Sequence, residues 1–332
     1  MQPTKIAILG LGRIGQIHLK NLVFSGRNIT PVAITSSEIG RQFAETLGVK
    51  HIHPDLQSAM EVENPDAVVI CAPSDTHYDY VKYLIGLGKA IFCEKPLDLS
   101  AERIEELESL ATQKGVPLMV AFNRRFDPSF SRLKTAIREG KVGEPHLIRI
   151  TSRDPAPPSI EFLKSSGGIF MDQIIHDFDM VRFLLDDEVV EIYAKGDVKV
   201  DPRIGEIGDW DTAVSILTFQ SGVMAIIDNS RQAVYGYDQR IEIFGSKGML
   251  KVDNSSPYQL DYHTEKGGLS PRPYHFFLDR YQDSYRVELD RFLDVLIKGD
   301  PIPVGAGDAL VATKIALAAA ESVRENRPVK LK

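Results

Sequence analysis

Cysteine is nearly absent. The 332 residues hold two, Cys71 and Cys93. Two thiols cannot build a disulfide scaffold, and each falls near the end of an apolar, strand-like run where a small reduced side chain packs well. An excess of basic charge is also missing. Lys and Arg number 39 against 46 Asp and Glu, a formal charge of −7, which argues against a nucleic-acid binder, whose contact face is basic. No apolar run reaches the ~18 residues of a membrane-spanning helix. The apolar stretch at residues 6–11 is short and is followed by Arg13, unlike a secretory signal. What these absences leave is a cytoplasmic globular protein with no membrane or nucleic-acid partner. At 43% hydrophobic and 26% charged, it is long enough for two domains.

The first part of the chain alternates between strand and helix. Lys5-Ile6-Ala7-Ile8-Leu9-Gly10 is a short apolar run, as a strand buried on both faces should be. Gly10-Leu11-Gly12-Arg13-Ile14-Gly15 follows at once and leads into a helical pattern through Ile17, Leu19, Leu22 and Val23. The three glycines of that spacing serve different ends. Gly10 allows the tight turn, Gly12 lets backbone approach a pyrophosphate, and Gly15 lets helix pack closely on strand. The helix amino terminus, opening at Arg13 and Ile14, offers N–H groups and a positive dipole end to the phosphates. Residues 29–35 read as a second strand and 38–47 as a helix closed by Gly48. Ala67-Val68-Val69-Ile70-Cys71-Ala72 is another buried strand, ending at Pro73 before a helix at about 80–87. Residues 89–93 and 116–122 are further strands, and Ser100 caps the helix between them. Strands separated by helices predict a parallel, doubly wound sheet, a Rossmann-type dinucleotide-binding domain over residues 1–125.

One expected acid is missing. The end of the second strand usually carries an Asp or Glu for the adenosine ribose of NAD. Here it carries Thr35-Ser36-Ser37, with Arg41 beyond. A carboxylate would repel a 2′-phosphate, whereas Ser36 and Arg41 can accept one, so NAD and NADP both remain open.

After Arg125 the pattern changes. A helix at about 129–139 precedes an alternating strand, Pro145-His146-Leu147-Ile148-Arg149-Ile150. A proline-rich loop, Asp154-Pro155-Ala156-Pro157-Pro158, leads to Gly167-Gly168 and an apolar helix ending near Leu185. Strand-like runs follow at 192–194, 213–219, 223–229, 239–245 and 248–252, with hairpin chemistry at Gly245-Ser246-Lys247-Gly248. Strands joined without helices predict a large, mainly antiparallel sheet, making residues 126–332 an α+β domain. Helices at about 283–298 and 308–325 close the chain; the last, rich in alanine, is expected to pack back on the first domain.

Two motifs carry the chemistry. Phe92-Cys93-Glu94-Lys95-Pro96 lies at the carboxyl end of a strand, where ligands bind doubly wound sheets, so Lys95 can point over a nicotinamide. Asp172-Gln173-Ile174-Ile175-His176 places an acid and an imidazole four apart in a helical stretch, on one face, with Asp179 a turn further on. Histidine suits proton transfer near neutral pH. Two plainer readings stand beside this one: His176 as a satisfied core histidine, or Asp172, His176 and Asp179 as metal ligands. No HExxH or paired-cysteine pattern supports a metal, and a lysine can polarise an alcohol without one.

In this order, the glycine turn, Glu-Lys-Pro and Asp-x-x-x-His resemble the glucose–fructose oxidoreductase and inositol dehydrogenase superfamily. Phe122-Asn123-Arg124-Arg125-Phe126-Asp127, Ser152-Arg153-Asp154-Pro155, residues 167–179 and Tyr235-Gly236-Tyr237-Asp238 are similar to its inositol 2-dehydrogenase branch. The resemblance spans nearly the whole chain. It implies an NAD(P)-dependent oxidation of myo-inositol, with Lys95, Asp172 and His176 as the catalytic set. Cofactor contacts would come from Gly10, Gly12, Arg13, Ile14, Gly15, Ser36, Arg41, Ala72, Pro73, Glu94 and Lys95, with His77 near the nicotinamide ribose. Arg124, Asp154, Asp179 and Tyr235 would face the polyol. It further implies a homotetramer formed through the open sheet faces. Another inositol isomer, a cyclic sugar, or a non-catalytic dinucleotide sensor on the same fold are the alternatives.

Overall fold

The computed structural model describes residues 2–331 as two compact units. Among the described residues, the first comprises 2–126 and 283–311, the second 127–282 and 312–331.

In the first unit the chain runs β1 (Thr4–Leu9), α1 (Arg13–Val23), β2 (Ile29–Ile34), α2 (Glu38–Thr46), β3 (His51–His53), α3 (Leu56–Val62), β4 (Ala67–Ile70), α4 (His77–Gly86), β5 (Ala90–Glu94), α5 (Ala101–Lys114) and β6 (Leu118–Ala121). The six strands are all parallel in the order β3-β2-β1-β4-β5-β6. This is the doubly wound order, reversing between β1 and β4. Apolar runs such as Ile6, Ala7, Ile8 and Val68, Val69, Ile70 are fully buried because helices cover both faces of the sheet. Each such side chain contributes roughly 1.5–3 kcal/mol of burial free energy. Local chemistry sets the helix ends. Ser37 and Ser100 cap α2 and α5, accepting from the N–H groups of Gly40 and Arg103, and Gly115 ends α5 in the left-handed region at φ 63°. β3 and α3 are additions to the expected elements; three and seven residues are too short to show a period.

The second unit opens with α6 (Pro128–Arg138), whose first turn is capped by Asp127. Then come β7 (Pro145–Arg153), α7 (Ile160–Ser165), a π-helical turn (Phe170–Ile174), α8 (Ile175–Leu185), β8 (Val189–Asp197) and α9 (Pro202–Glu206). β9 (Thr212–Phe219), β10 (Met224–Ser230), β11 (Asp238–Gly245), β12 (Gly248–Val252) and the short pair β13 (Tyr262–Thr264) and β14 (Gly267–Leu269) follow. The chain ends with α10 (Phe277–Arg280), α11 (Gln282–Lys298), α12 (Ala306–Glu325) and β15 (Val329–Lys330); residues 283–311 of this tail belong to the first unit. Seven strands pair in the order β12-β11-β7-β10-β9-β8-β15, antiparallel except for β7 beside β10. Period-two burial is plain in β9, where Ala213, Ser215, Leu217 and Phe219 point inward while Val214 and Ile216 lie exposed.

Candidate active site

In the first unit, the glycine turn sits between β1 and α1, at the reversal of strand order. Gly10 has φ 90°, and a methyl group there would meet the Cys71 carbonyl oxygen at 2.8 Å. At Gly15 it would lie 1.8 Å from the Gly10 oxygen. Gly12 is different: nothing lies within 4 Å of where its Cβ would be. The backbone is thus shaped tightly below the turn and left open above it. The first turn of α1, with Arg13 and Ile14, carries no acid and no side-chain cap. A positive dipole end and open space over Gly12 fit a dinucleotide pyrophosphate. Ser36 and Arg41 are both exposed beyond β2.

Lys95 and Pro96 follow β5 and are joined by a cis peptide bond. Lys95 is half-buried. His77 begins α4 and is almost fully buried, with Nδ1 2.8 Å from the Pro96 carbonyl oxygen and Nε2 2.9 Å from that of Ala72. Both ring nitrogens are therefore committed to backbone. His77 thus ties the Ala72-Pro73 loop to the Lys95-Pro96 turn. Beneath them Glu94 accepts from Nε2 of the buried His18 at 3.1 Å, and a carboxylate oxygen of Glu288 lies 3.9 Å from the same nitrogen. The ligand atoms of His18, Cys71 and Glu94 lie within 4.8 Å of one another. Burial, and then the nearby Glu94 charge, pushes the Glu288 carboxyl well above its ordinary range. Burial likewise raises the thiols of Cys71 and Cys93, which keeps them unreactive. Arg124 lies buried in the single turn after β6, where its neighbour Arg125 is paired with Asp308 at 2.8 Å.

In the second unit, Asp172 and His176 do not share one regular α-helix. Asp172 falls in the π-helical turn and His176 in the first turn of α8. The spacing of four predicts a common face at 3.6 residues per turn; the wider turn alters that geometry, and such turns cluster at functional sites. His176 is half-buried, and Asp179 is buried further along α8. The Asp172 carboxylate accepts from the guanidinium of Arg231 at 3.1 Å. Nearby, Gln173 donates to the carbonyls of Ser152 and Ser230, and Asp177 accepts from Asn229 at 2.7 Å, fastening the helix to the ends of β7 and β10.

Asp154 follows β7 and is held through its backbone, bonding Ser230 and Ala233. The Tyr235 hydroxyl donates to Asp238 at 2.6 Å and accepts from Arg153 at 3.2 Å. Burial, and then the Asp238 hydrogen bond, raises that phenol above its usual range. Arg153 grips Asp228 with two nitrogens. Burial works against the Asp238 charge, yet bonds from Arg240, Tyr235 and Asn254 hold that carboxyl below its usual range. Tyr235 is thus a fixed donor–acceptor on a polar platform. The pairings of Arg231, Arg153 and Gln173 have no local signal in the sequence, because their partners lie tens of residues away.

A doubly wound parallel sheet with a glycine turn shaped for a pyrophosphate defines a dinucleotide-binding protein. Similarity to known proteins gives the family. Residues 4–122 match the NAD-binding Rossmann domain of an oxidoreductase family and residues 130–251 match the GFO/IDH/MocA C-terminal domain. The chain belongs to the GFO/IDH/MocA oxidoreductase family. It is 43% identical over 328 residues to a myo-inositol 2-dehydrogenase of Thermotoga maritima, covering 98% of each chain. It is 42% identical over 332 residues to an inositol 2-dehydrogenase of Rhizobium meliloti, covering 99% of each. A scyllo-inositol dehydrogenase of Lactobacillus casei, solved with NAD(H) and scyllo-inositol bound, superposes with a TM-score of 0.91 at 30% identity, covering 99% of each chain.

Proposed function

We propose that this chain oxidises myo-inositol to its 2-keto derivative. The observation that carries the reading is the end-to-end similarity to inositol 2-dehydrogenases in a chain that holds Lys95, Asp172 and His176. Bound NAD supplies the acceptor for the hydride that leaves the carbinol carbon. Gly10, Gly12, Gly15 and the first turn of α1 hold its phosphates, and the Ala72-Pro73 and Glu94-Lys95 loops line its nicotinamide end. His176 takes the proton of the reacting hydroxyl, Lys95 hydrogen-bonds the same oxygen as negative charge develops, and Asp172 orients the pair. Arg124, Asp154, Asp179 and Tyr235 supply hydrogen bonds to the remaining hydroxyls. With its proton given to Asp238 and one lone pair taken by Arg153, the Tyr235 oxygen keeps a lone pair that can accept from a polyol hydroxyl.

General acid–base catalysis contributes ~10²–10⁴-fold. His176→Ala is therefore expected to slow turnover by about that factor while NADH still binds; near-normal turnover would remove His176 from the reaction. Ser36 and Arg41 leave space and charge for a 2′-phosphate, so NADP serves as a second cofactor. Initial rates with myo-inositol, scyllo-inositol and glucose, each with NAD and NADP, test substrate and cofactor together. The highest kcat/KM for myo-inositol is expected. Silence with every pair, while cofactor still binds, would replace the dehydrogenase reading with a dinucleotide sensor. Two unreactive, reduced thiols suit a reducing, cytoplasmic setting. The exposed apolar side chains of the large sheet suit a homotetramer built through that face.

A further inference from the structure

Arg231 is fully buried. It follows β10, and its backbone N–H bonds the Asp211 carbonyl at 2.8 Å. One guanidinium nitrogen donates to Asp172 at 3.1 Å and another to Asp209 at 3.4 Å. Asp209 faces the turn that precedes Asp172: its Oδ1 accepts from the Ile169 N–H at 2.9 Å. That turn is closely fitted. Gly167 and Gly168 both have φ 82°, and a methyl group on Gly168 would lie 2.8 Å from Asp209 Oδ1. The Asp172 N–H in turn bonds the Gly168 carbonyl at 2.9 Å. Asp172 is therefore gripped twice, its backbone through the Gly167-Gly168 turn that Asp209 anchors, and its carboxylate through Arg231.

We infer that Arg231 is a positioning residue, which acts through Asp172 by fixing the orientation of that carboxylate for the reaction. This rests on the role given to Asp172 above and extends it to a residue outside the catalytic motif. A buried guanidinium is an expensive way to fill space, since apolar side chains of similar volume are as stable or more so. What an apolar side chain cannot do is hold one carboxylate oxygen in a set direction. That matters here because the π-helical turn widens the helix at Asp172, leaving its carboxylate less defined by regular helix geometry. Arg231 bridges the carboxylate to Asp209, the group that sets the turn, so backbone and side chain are positioned as one unit.

The test is a double-mutant cycle on the full-length enzyme, with D172N, R231M, R231K and both double variants. Turnover, KM for inositol and NADH affinity by fluorescence are measured for each, with circular dichroism to confirm folding. Expected is a fall in kcat of about 10–100-fold in R231M, as for a catalytic group displaced by an ångström, with NADH affinity unchanged. In the D172N background R231M should add nothing, because the residue through which it acts is already disabled. R231K, which keeps the charge and loses the bridging fork, should fall between wild type and R231M and also add nothing to D172N. Should R231M not fold, the R231K cycle decides by the same criterion. Losses that multiply between positions 172 and 231, or wild-type turnover in R231M, overturn the inference. Wild-type turnover in D172N overturns instead the role of Asp172 itself.

Discussion

Gly12 and Gly15 lie in one turn, three residues apart, and fail differently when a methyl group is added. At Gly15 the new carbon collides with the Gly10 carbonyl; at Gly12 it projects into open space, from a backbone at φ −70° that alanine adopts readily. G15A is therefore expected to melt well below wild type. G12A should melt with wild type yet bind NADH at least about tenfold more weakly, since its methyl occupies the space the pyrophosphate needs. Calorimetry and fluorescence titration separate the two, and a G12A protein with wild-type NADH affinity would place the pyrophosphate elsewhere. Residues such as these are legible in sequence because spacing alone defines their job. Lys95, Asp172 and His176 stand out as candidates through their motifs. Arg231 does not: it lies 59 positions from Asp172 with no local pattern to link them, and the pair exists only once β10 and the π-helical turn come together. His77 is picked out by its motif, and the structure adds that its two nitrogens join loops.

At the scale of elements, buried strands and capped helices are the easiest to read. β1, β4 and β5 are unbroken apolar runs, and α5 has a serine at one end and a glycine at the other. The parallel pairing of β7 with β10 is not legible, because nothing in either strand names a partner more than 70 residues away. The π-helical turn is hidden as well, since its residues read as ordinary helix. α11 carries a further consequence. Glu288 lies on its buried face beside Phe292, which packs on Phe92, and neither Glu288 carboxylate oxygen has a hydrogen-bond partner. Its folded-state pKa is raised above the ordinary 4.5. Stability from this group is thus fully present below the unfolded pKa and declines as pH rises toward the folded one, by up to about 1.4 kcal/mol per pH unit. E288Q stays neutral throughout. Its melting temperature should exceed that of wild type by a margin that grows between about pH 5 and pH 8; a constant margin would show that Glu288 ionises normally in the fold.

At the scale of the whole molecule, one surface calls for a partner. On the large sheet Met224 pairs with Leu147, Leu147 with Phe244 and Phe244 with Met249, making an apolar row across four strands. Met224, Phe244 and Met249 are each about half exposed, with Ile216 close behind. A contiguous apolar patch of this kind marks an association surface. The double variant I216D/F244D is expected to lower the mass seen by light scattering while leaving circular dichroism unchanged. A wild type that already runs as a monomer would overturn the proposed tetramer.

The division of the chain bears on how it is made. The first unit begins at the amino terminus, but α11 and the backbone bond from Val120 N–H to the Val304 carbonyl bring residues from beyond position 282 into it. A ribosome adding about 5–20 residues per second releases β1 to β6 long before those late segments exist. Meanwhile His18, Glu94 and Phe92 lack the Glu288 and Phe292 that pack beside them. In the nucleotide-binding half of this enzyme, the sheet is therefore translated well ahead of the helix that completes its core.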